Sequence, residues 1–500
     1  MDILLQAVDL VFTPTVLLTI LLSGMFGLFV GAIPGLTATM AVALLVPVTF
    51  FMDPLPAIAS IVTATAMAIF SGDIPGALLR IPGTPSSAAY VEDAYALTKQ
   101  GKSRYCLGAN LSFSVAGGLF GCLMLVLFAP MLAQVALRFG SYEYFWLSLL
   151  GLSCAVFISP SSLVKGLISL LIGLFIANVG LDIMTGYPRF TFGSADLTGG
   201  VSFIPAMIGL FAVSEVIRGM SVVGGLPRLP HQSGSVFRKV PGLFKRYWKN
   251  YIQGSVLGVF IGALPGAGSD IAAWISYAVS KKLSKQSEKF GKGHIEGIIS
   301  STSANNAGLS GAWIPALVFG IPGDSITAIA IGVLYMKGLN PGPMIFIQQP
   351  ETINAIFIIF LLANVLLLPL GYLAIISASK VLAVPREILM PLVLIFSIVG
   401  AFAINNSVFD VGVMLVIGIL AYVLEENDFP LAPIILGMVL GPILERNFMS
   451  SMLKSNGDLL SFFERPIAAG LGVATIALWF LPLLIKIWMR HALRNKPQAV

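Results

Sequence analysis

Long apolar runs separated by short polar stretches organise this chain, and the runs approach bilayer length. Thr15–Val30, Cys106–Ala129, Leu163–Val179, Ile353–Ile376 and Ile467–Ile485 each come close to the roughly 20 apolar residues that a membrane-crossing helix needs. Helix-breaking Pro-Gly pairs interrupt this pattern in matched places. "GAIPGL" at Gly31–Leu36 has a counterpart in "GALPGA" at Gly262–Ala267, and "IPGTPSSAA" at Ile81–Ala89 has one in "IPGDSITA" at Ile321–Ala328. The pattern predicts an all-α polytopic membrane protein of about 10–12 transmembrane segments, with two re-entrant or broken-helix hairpins in inverted repeats.

Composition agrees. Hydrophobic residues make up 57% of the 500 and charged residues 10%, against roughly 25% charged in soluble domains, and mean hydropathy is +0.93. No basic segment precedes Thr15–Val30, so that run reads as a retained helix and not as a cleaved leader. Cys106, Cys122 and Cys154 lie in apolar surroundings without metal-ligand spacing and read as small core residues. His231, His294 and His491 fall in polar or basic segments and read as solvated. The net charge of +6 follows the membrane and carries no nucleic-acid signal.

Basic loops set an orientation. Arg218, Arg228, Arg238, Lys239, Lys245, Arg246 and Lys249 lie in a stretch without acids, and excess Lys/Arg beside spans marks the cytoplasmic side. Lys99–Arg104 and the tail with Arg490, Arg494 and Lys496 read the same way. Spans near 105–128, 143–159, 163–180 and 201–217 give the even count these anchors require. A cytoplasmic Lys281–Lys292 then makes 251–280 a hairpin entered from inside, whereas the first hairpin enters from outside. The resulting division is a first repeat at 1–217 (hairpin near 31–36, break near 81–87) and a basic linker at 218–250. A second repeat comes next at 251–486 (hairpin near 262–268, break near 321–325), then a basic cytoplasmic tail at 487–500.

A helix beginning after a Pro-Gly break presents free amide N–H groups and its positive dipole end, which suits carboxylates. Pro34, Gly35, Thr37, Thr39, Thr84, Ser86, Ser87, Gly266, Ser269, Gly323, Ser325 and Thr327 flank the breaks and are candidate substrate ligands. Each hydroxyl alone could instead cap or back-bond its own helix; Pro85 fits a first helical position, and Asp324 or Ser325 fits a cap. "SSTSANNAGLSGAW" at Ser300–Trp313 places Asn305 and Asn306 in an expected span, where either could face substrate or cation. Asp73, Arg80, Asp270 and Asp324 adjoin the breaks, and intramembrane charges mark ion or substrate paths. Asp270, Asp324 and Asn305 are the coupling-ion candidates. No metal is implied beyond a coupling Na⁺, with H⁺ as the alternative, and no cofactor.

There is no GxxxxGK[ST], HExxH or GxSxG motif, and no matched nucleophile and base, so an enzyme or P-loop ATPase is not expected. "GALPGAGSD" lacks dinucleotide-binding spacing. "VEDAYALTKQGKS" reads as an amphipathic surface stretch and "EEND" at Glu425–Asp428 as a loop.

The stretches "GAIPGLTATMAVALLVPVTF", "GALLRIPGTPSSAAYVEDAYALTKQGK", "GALPGAGSDIAAW", "FGKGHIEGIISSTSANNA" and "IPALVFGIPGDSITAIAIGVLYMKGLNPGP" resemble, in order, the large membrane subunit of the tripartite tricarboxylate transporter family, the TctA type. Residues 350–500 match mainly in hydropathy. The resemblance implies a bacterial inner-membrane secondary transporter with a cytoplasmic C-terminus. It would work with a small membrane subunit of about four helices and a periplasmic solute-binding protein, importing organic tri- or dicarboxylates on an ion gradient. The alternative is a stand-alone ion-coupled carboxylate symporter. Arg80, where relatives carry a neutral amide, and the "SSTSANNA" wording depart from the family pattern.

Overall fold

The computed structural model of the chain describes all residues except 1, 159–161, 183, 222–233, 239, 383–385 and 495–500. His231, Arg228, Lys239 and Lys496 lie outside the described residues, as do the side chains of Arg490, His491 and Arg494. Helices dominate; a two-residue antiparallel pairing of Gly180–Leu181 with Pro188–Arg189 is the only sheet among the described residues. Among the described residues, seven helices are long and apolar enough to cross a membrane: Pro14–Ala32, Pro54–Leu79, Ser103–Ala136, Phe203–Met220, Pro350–Ala378, Val408–Glu426 and Leu431–Lys454. Five shorter apolar helices accompany them: Ala38–Phe50, Leu163–Ala177, Ser325–Met336, Met390–Asn405 and Pro466–Phe480. The chain is an all-α polytopic membrane protein.

Local chemistry places the ends. Thr13 caps helix 14–32, accepting from the Val16 amide ahead of Pro14 at the first position, and Thr37 caps helix 38–50, accepting from Met40 N at 3.2 Å. At the hairpin tips Gly35 (φ 93°) and Gly266 (φ 83°) both take the left-handed conformation that glycine permits. Beyond each broken helix the chain turns through a second matched left-handed residue, Arg80 (φ 63°) in one half and Gly320 (φ 68°) in the other.

The two halves pack by the same rule. Gly27 and Gly31 of helix 14–32 lie on the backbone at Ala64 and Ala68 of helix 54–71. Gly254, Gly258 and Gly262 of helix 240–262 lie likewise on Ser300, Ala304 and Gly308 of helix 295–319. Four-residue spacing puts such small residues on one helix face, where backbones approach closely without hydrophobic driving force from lipid. Helices 54–79 and 295–319 are consequently central; 94% of the apolar window of the former is buried, against 33% for helix 408–426.

Helix 103–136 meets its counterpart 350–381 antiparallel: Leu111 is near Gly371, Gly118 near Asn364, and Cys122 near Phe357. The last helix of each half is exchanged. Gly173 packs on Ile434, joining helix 163–177 to helix 431–454, and Gly209 packs on Met414, joining helix 408–426 to the 203–221 segment. Ion pairs close both ends of these exchanges. Arg218 binds Glu215 (3.0 Å) and Glu425 (2.7 Å), and Lys165 binds Asn427 O (2.8 Å), on one side. On the other, Arg189 pairs with Asp182 and with Glu445 (2.6 Å).

Candidate functional site

Within each half, hairpin tip and broken helix touch backbone to backbone. A Cβ built on Gly83 would lie 2.9 Å from Gly31 O; one built on Gly323 would lie 2.5 Å from Gly262 O. Gly266 N also donates to Gly323 O at 2.8 Å. The matched Pro-Gly breaks are therefore in contact, two by two.

The halves then meet across Ser86. Its backbone N–H donates to Asp270 Oδ1 at 3.0 Å, and its hydroxyl accepts from Asn305 Nδ2 at 2.9 Å while sharing a 3.0 Å contact with Thr84 Oγ1. Trp274, one turn beyond Asp270 and so on the same helix face, donates its indole N–H to Pro85 O at 3.0 Å. Ser269 lies against Gly308, and Gly268 against the Asp324 side chain. Residues from three of the breaks thus surround one point, with Thr84 and Ser86 buried and Asp270 and Asp324 half-buried.

Several candidates have local duties. Asp324 caps helix 325–336: Thr327 N donates to Asp324 Oδ1 (2.8 Å), and Asp324 N donates to Thr327 Oγ1 (2.9 Å). Asp270 is no cap, since it stands inside the first turn of helix 268–283. Pro85 does not open a helix. Ser87 donates its hydroxyl to Thr84 O (2.8 Å) and its amide to Thr84 Oγ1 (3.3 Å), and these local bonds compete with helix formation. Only a single 3₁₀ turn, Ser87–Ala89, separates this bend from helix 91–99. The first half therefore offers no extended helix dipole at this break, and its group at the junction with the other half is Ser86. Thr39 and Ser325 are half-buried near the start of their helices; Pro34 is buried and Gly35 exposed. Arg80 is exposed and paired with Glu92 at 2.8 Å, and Asp73 accepts from Tyr90 OH at 2.6 Å.

The two adjacent asparagines part company. One residue step turns a helix by 100°, so Asn305 reaches Ser86 while Asn306 turns to another face. Trp274 was missed in the sequence, although its i,i+4 spacing from Asp270 carried the signal. The wide mouth of about 850 Å³ lined by Lys165, Arg218, Glu425, Glu426 and Asp428 belongs to the ion-paired end of the bundle, and its two cations are already engaged.

Residues 17–436 match the family described as the tripartite tricarboxylate transporter TctA family. The chain belongs to the TctA family. A relative in Agrobacterium vitis, described as an uncharacterized 52.8 kDa protein in the TAR-I ttuC' 3' region, is 35% identical over 479 residues, 94% of each chain. A second from the same organism, an uncharacterized protein in the TAR-II ttuC' 3' region, is 40% identical over 228 residues, 45% of this chain and 94% of that one. No solved structure matches. As a TctA protein the chain is the large, multi-pass subunit of a tricarboxylate transporter, and the break cluster is its candidate solute site.

The chemistry of that cluster is specific. It offers the Ser86 and Ser269 hydroxyls, the Asn305 amide with its Oδ1 unpartnered, and two carboxylates. Neither Asp270 nor Asp324 forms an ion pair with a basic side chain among the described residues. Two carboxylates without a basic partner make the cluster electronegative.

Proposed function

We propose that this TctA subunit imports organic di- or tricarboxylates by alternating access, with cation entry obligatory for substrate binding. The observation that carries the reading is the bond between Ser86 of one half and Asp270 of the other, with Asn305 completing the junction. Two unit charges about 5 Å apart at an effective dielectric of 20 interact by about 3 kcal/mol. A substrate carboxylate that close to both Asp270 and Asp324 would therefore be repelled by about 6 kcal/mol, most of the roughly 8 kcal/mol of a micromolar complex. Na⁺ or H⁺ at the two carboxylates cancels that repulsion, which makes ion coupling a consequence of the site's charge. Thr37, Thr39, Thr84 and Ser86 serve one half-site, and Ser269, Asn305, Ser325 and Thr327 the other, with Ser87 bracing Thr84 and with Asp324 and Thr327 shaping the helix end.

In this reading the protein sits in a bacterial inner membrane with its C-terminus in the cytoplasm, and works with a small membrane subunit and a periplasmic solute-binding protein. The family's tripartite description supports these partners. The test is uptake into vesicles with the binding protein present, comparing Ser86→Ala/Ser87→Ala and Asn305→Ala with the parent. Loss of saturable uptake in both supports the site, and normal uptake in both removes it. Co-purification of a small membrane protein and dependence on periplasmic extract separate this assembly from a stand-alone symporter.

A further inference from the structure

Asp73 opens the short helix 73–79 at the first break and is 3% exposed, yet it takes no part in the solute cluster. Its Oδ1 accepts from Tyr90 OH at 2.6 Å, and Tyr90 is itself buried. Its Oδ2 has no partner. Asn110 of helix 103–136 lies close enough to act on both the carboxyl and the phenol, but its Nδ2 and Oδ1 are both unpartnered and it is 1% exposed. The amide can turn either end to Asp73, Nδ2 as donor to an ionised carboxylate or Oδ1 as acceptor for a protonated one.

No basic side chain pairs with this carboxyl among the described residues. Helices 14–32 and 54–71, which pack on helix 73–79, contain no ionisable side chain. Helix 103–136 brings Cys106, one turn before Asn110 and fully buried, near Asp73 and Asp93; its Arg104 donates to Gly234 O at 3.1 Å and its Tyr105 turns to Tyr247. On helix 91–99, Asp93 is taken by Tyr277 OH (2.7 Å) and by the amides of Gly293 and His294 (2.8 Å each). Glu92 pairs with the outward Arg80, and Lys99 lies over Tyr95. An ionised carboxylate held out of water with no cation is unfavourable, and taking up a proton removes that cost without needing room for an ion.

Backbone contacts link this carboxyl to the solute cluster. A Cβ built on Gly72, the residue before Asp73, would lie 2.6 Å from Thr84 Cγ2, and Gly83 N donates to Gly72 O at 3.0 Å. Thr84 in turn shares its 3.0 Å contact with Ser86, and Tyr90 directly follows the 3₁₀ turn Ser87–Ala89. The loop that carries Ser86 is thus pinned at both ends beside Asp73. We propose that Asp73 is a proton-carrying site of the transport cycle, separate from the solute cluster, with Tyr90 and Asn110 as its hydrogen-bonding partners. With the loop closed, Oδ2 holds the proton and Asn110 Oδ1 accepts it. When the loop lifts and water enters, the O–H bond breaks, the proton passes to water, and the carboxylate left behind is reloaded from water on the other side. This rests on the ion-coupled reading above and makes H⁺ one of its ions.

The test has two readouts. Infrared spectra of the purified full chain in detergent at neutral pH should show a protonated-carboxyl C=O band that is absent in Asp73→Asn and displaced in Asn110→Ala, which removes its hydrogen-bond acceptor. Asp73→Asn keeps the volume and the neutral form, so it should fold; Tyr90→Phe, which should also displace the band, decides the matter if Asn110→Ala does not fold. In vesicles with the binding protein present and labelled citrate as probe, accumulation driven by an imposed pH gradient is compared with citrate exchange at uniform pH. Asp73→Asn should lower accumulation at least about tenfold more than exchange, whereas Asn305→Ala should lower both alike. A band unchanged in Asp73→Asn, or gradient-driven accumulation equal to the parent's, would overturn the proposal. A parent driven by Na⁺ alone would overturn it too and leave the ion-coupled reading standing; a parent driven by no ion gradient would remove that reading itself.

Discussion

Replacing Gly323 by alanine probes the contact between hairpin tip and broken helix. The added Cβ would lie 2.5 Å from Gly262 O and 2.8 Å from the Cα and Cβ of Ala312. Relaxed contacts sit near 3.5 Å, so the two backbones must separate by up to about 1 Å. Neither can yield by a side-chain rotation. Overpacking of this kind costs about 1–3 kcal/mol, and parting the strands also loses the Gly266 N to Gly323 O bond of 2.8 Å, about 1 kcal/mol more. The sum, about 2–4 kcal/mol, should lower the thermal midpoint of the detergent-purified chain by several degrees. Gly412→Ala is the control, an exposed position inside helix 408–426 with no heavy atom within 4 Å of the new carbon. There alanine should stabilise by up to about 1 kcal/mol. The mirror position Gly83, whose Cβ would lie 2.7 Å from Gly72 Cα and 2.9 Å from Gly31 O, should lose as much as Gly323. A Gly323→Ala protein melting at or above the parent would refute the backbone contact.

Asn305→Ala removes the donor to Ser86 Oγ from a buried junction and should reduce uptake at least about tenfold, as an uptake assay in vesicles reads directly. Arg80→Gly should raise the melting temperature, since Arg80 holds a left-handed conformation (φ 63°) where its counterpart is Gly320; an unchanged or lower midpoint would show that the exposed Glu92 pair outweighs backbone relief. Arg218→Gln withdraws the counter-charge from Glu215, Glu425 and Glu426, and should destabilise by about 1 kcal/mol, a difference that narrows in high salt as screening grows.

The four breaks were legible because Pro and Gly act locally, through backbone geometry. Partner choice was not. Helices 54–71 and 295–319 are buried nearly all round, so no apolar stripe reveals which side of the chain faces what. That is why Asn305 and Asn306 could not be told apart, and why Ser87 was grouped with Ser86 although it is spent on Thr84. The exchange of helices 203–221 and 431–454 between halves left no trace either, since small residues such as Gly173, Gly209, Gly418 and Gly437 mark a close contact without naming the partner.

The central claim is that break-flanking residues of both halves enclose one solute. With the three native cysteines replaced by alanine, single cysteines at the half-buried positions Thr39 and Ser325 should react with a water-soluble thiol reagent, each protected by the same organic acid only when the coupling cation is present. Unchanged labelling at both positions, at acid concentrations that saturate uptake, would contradict it.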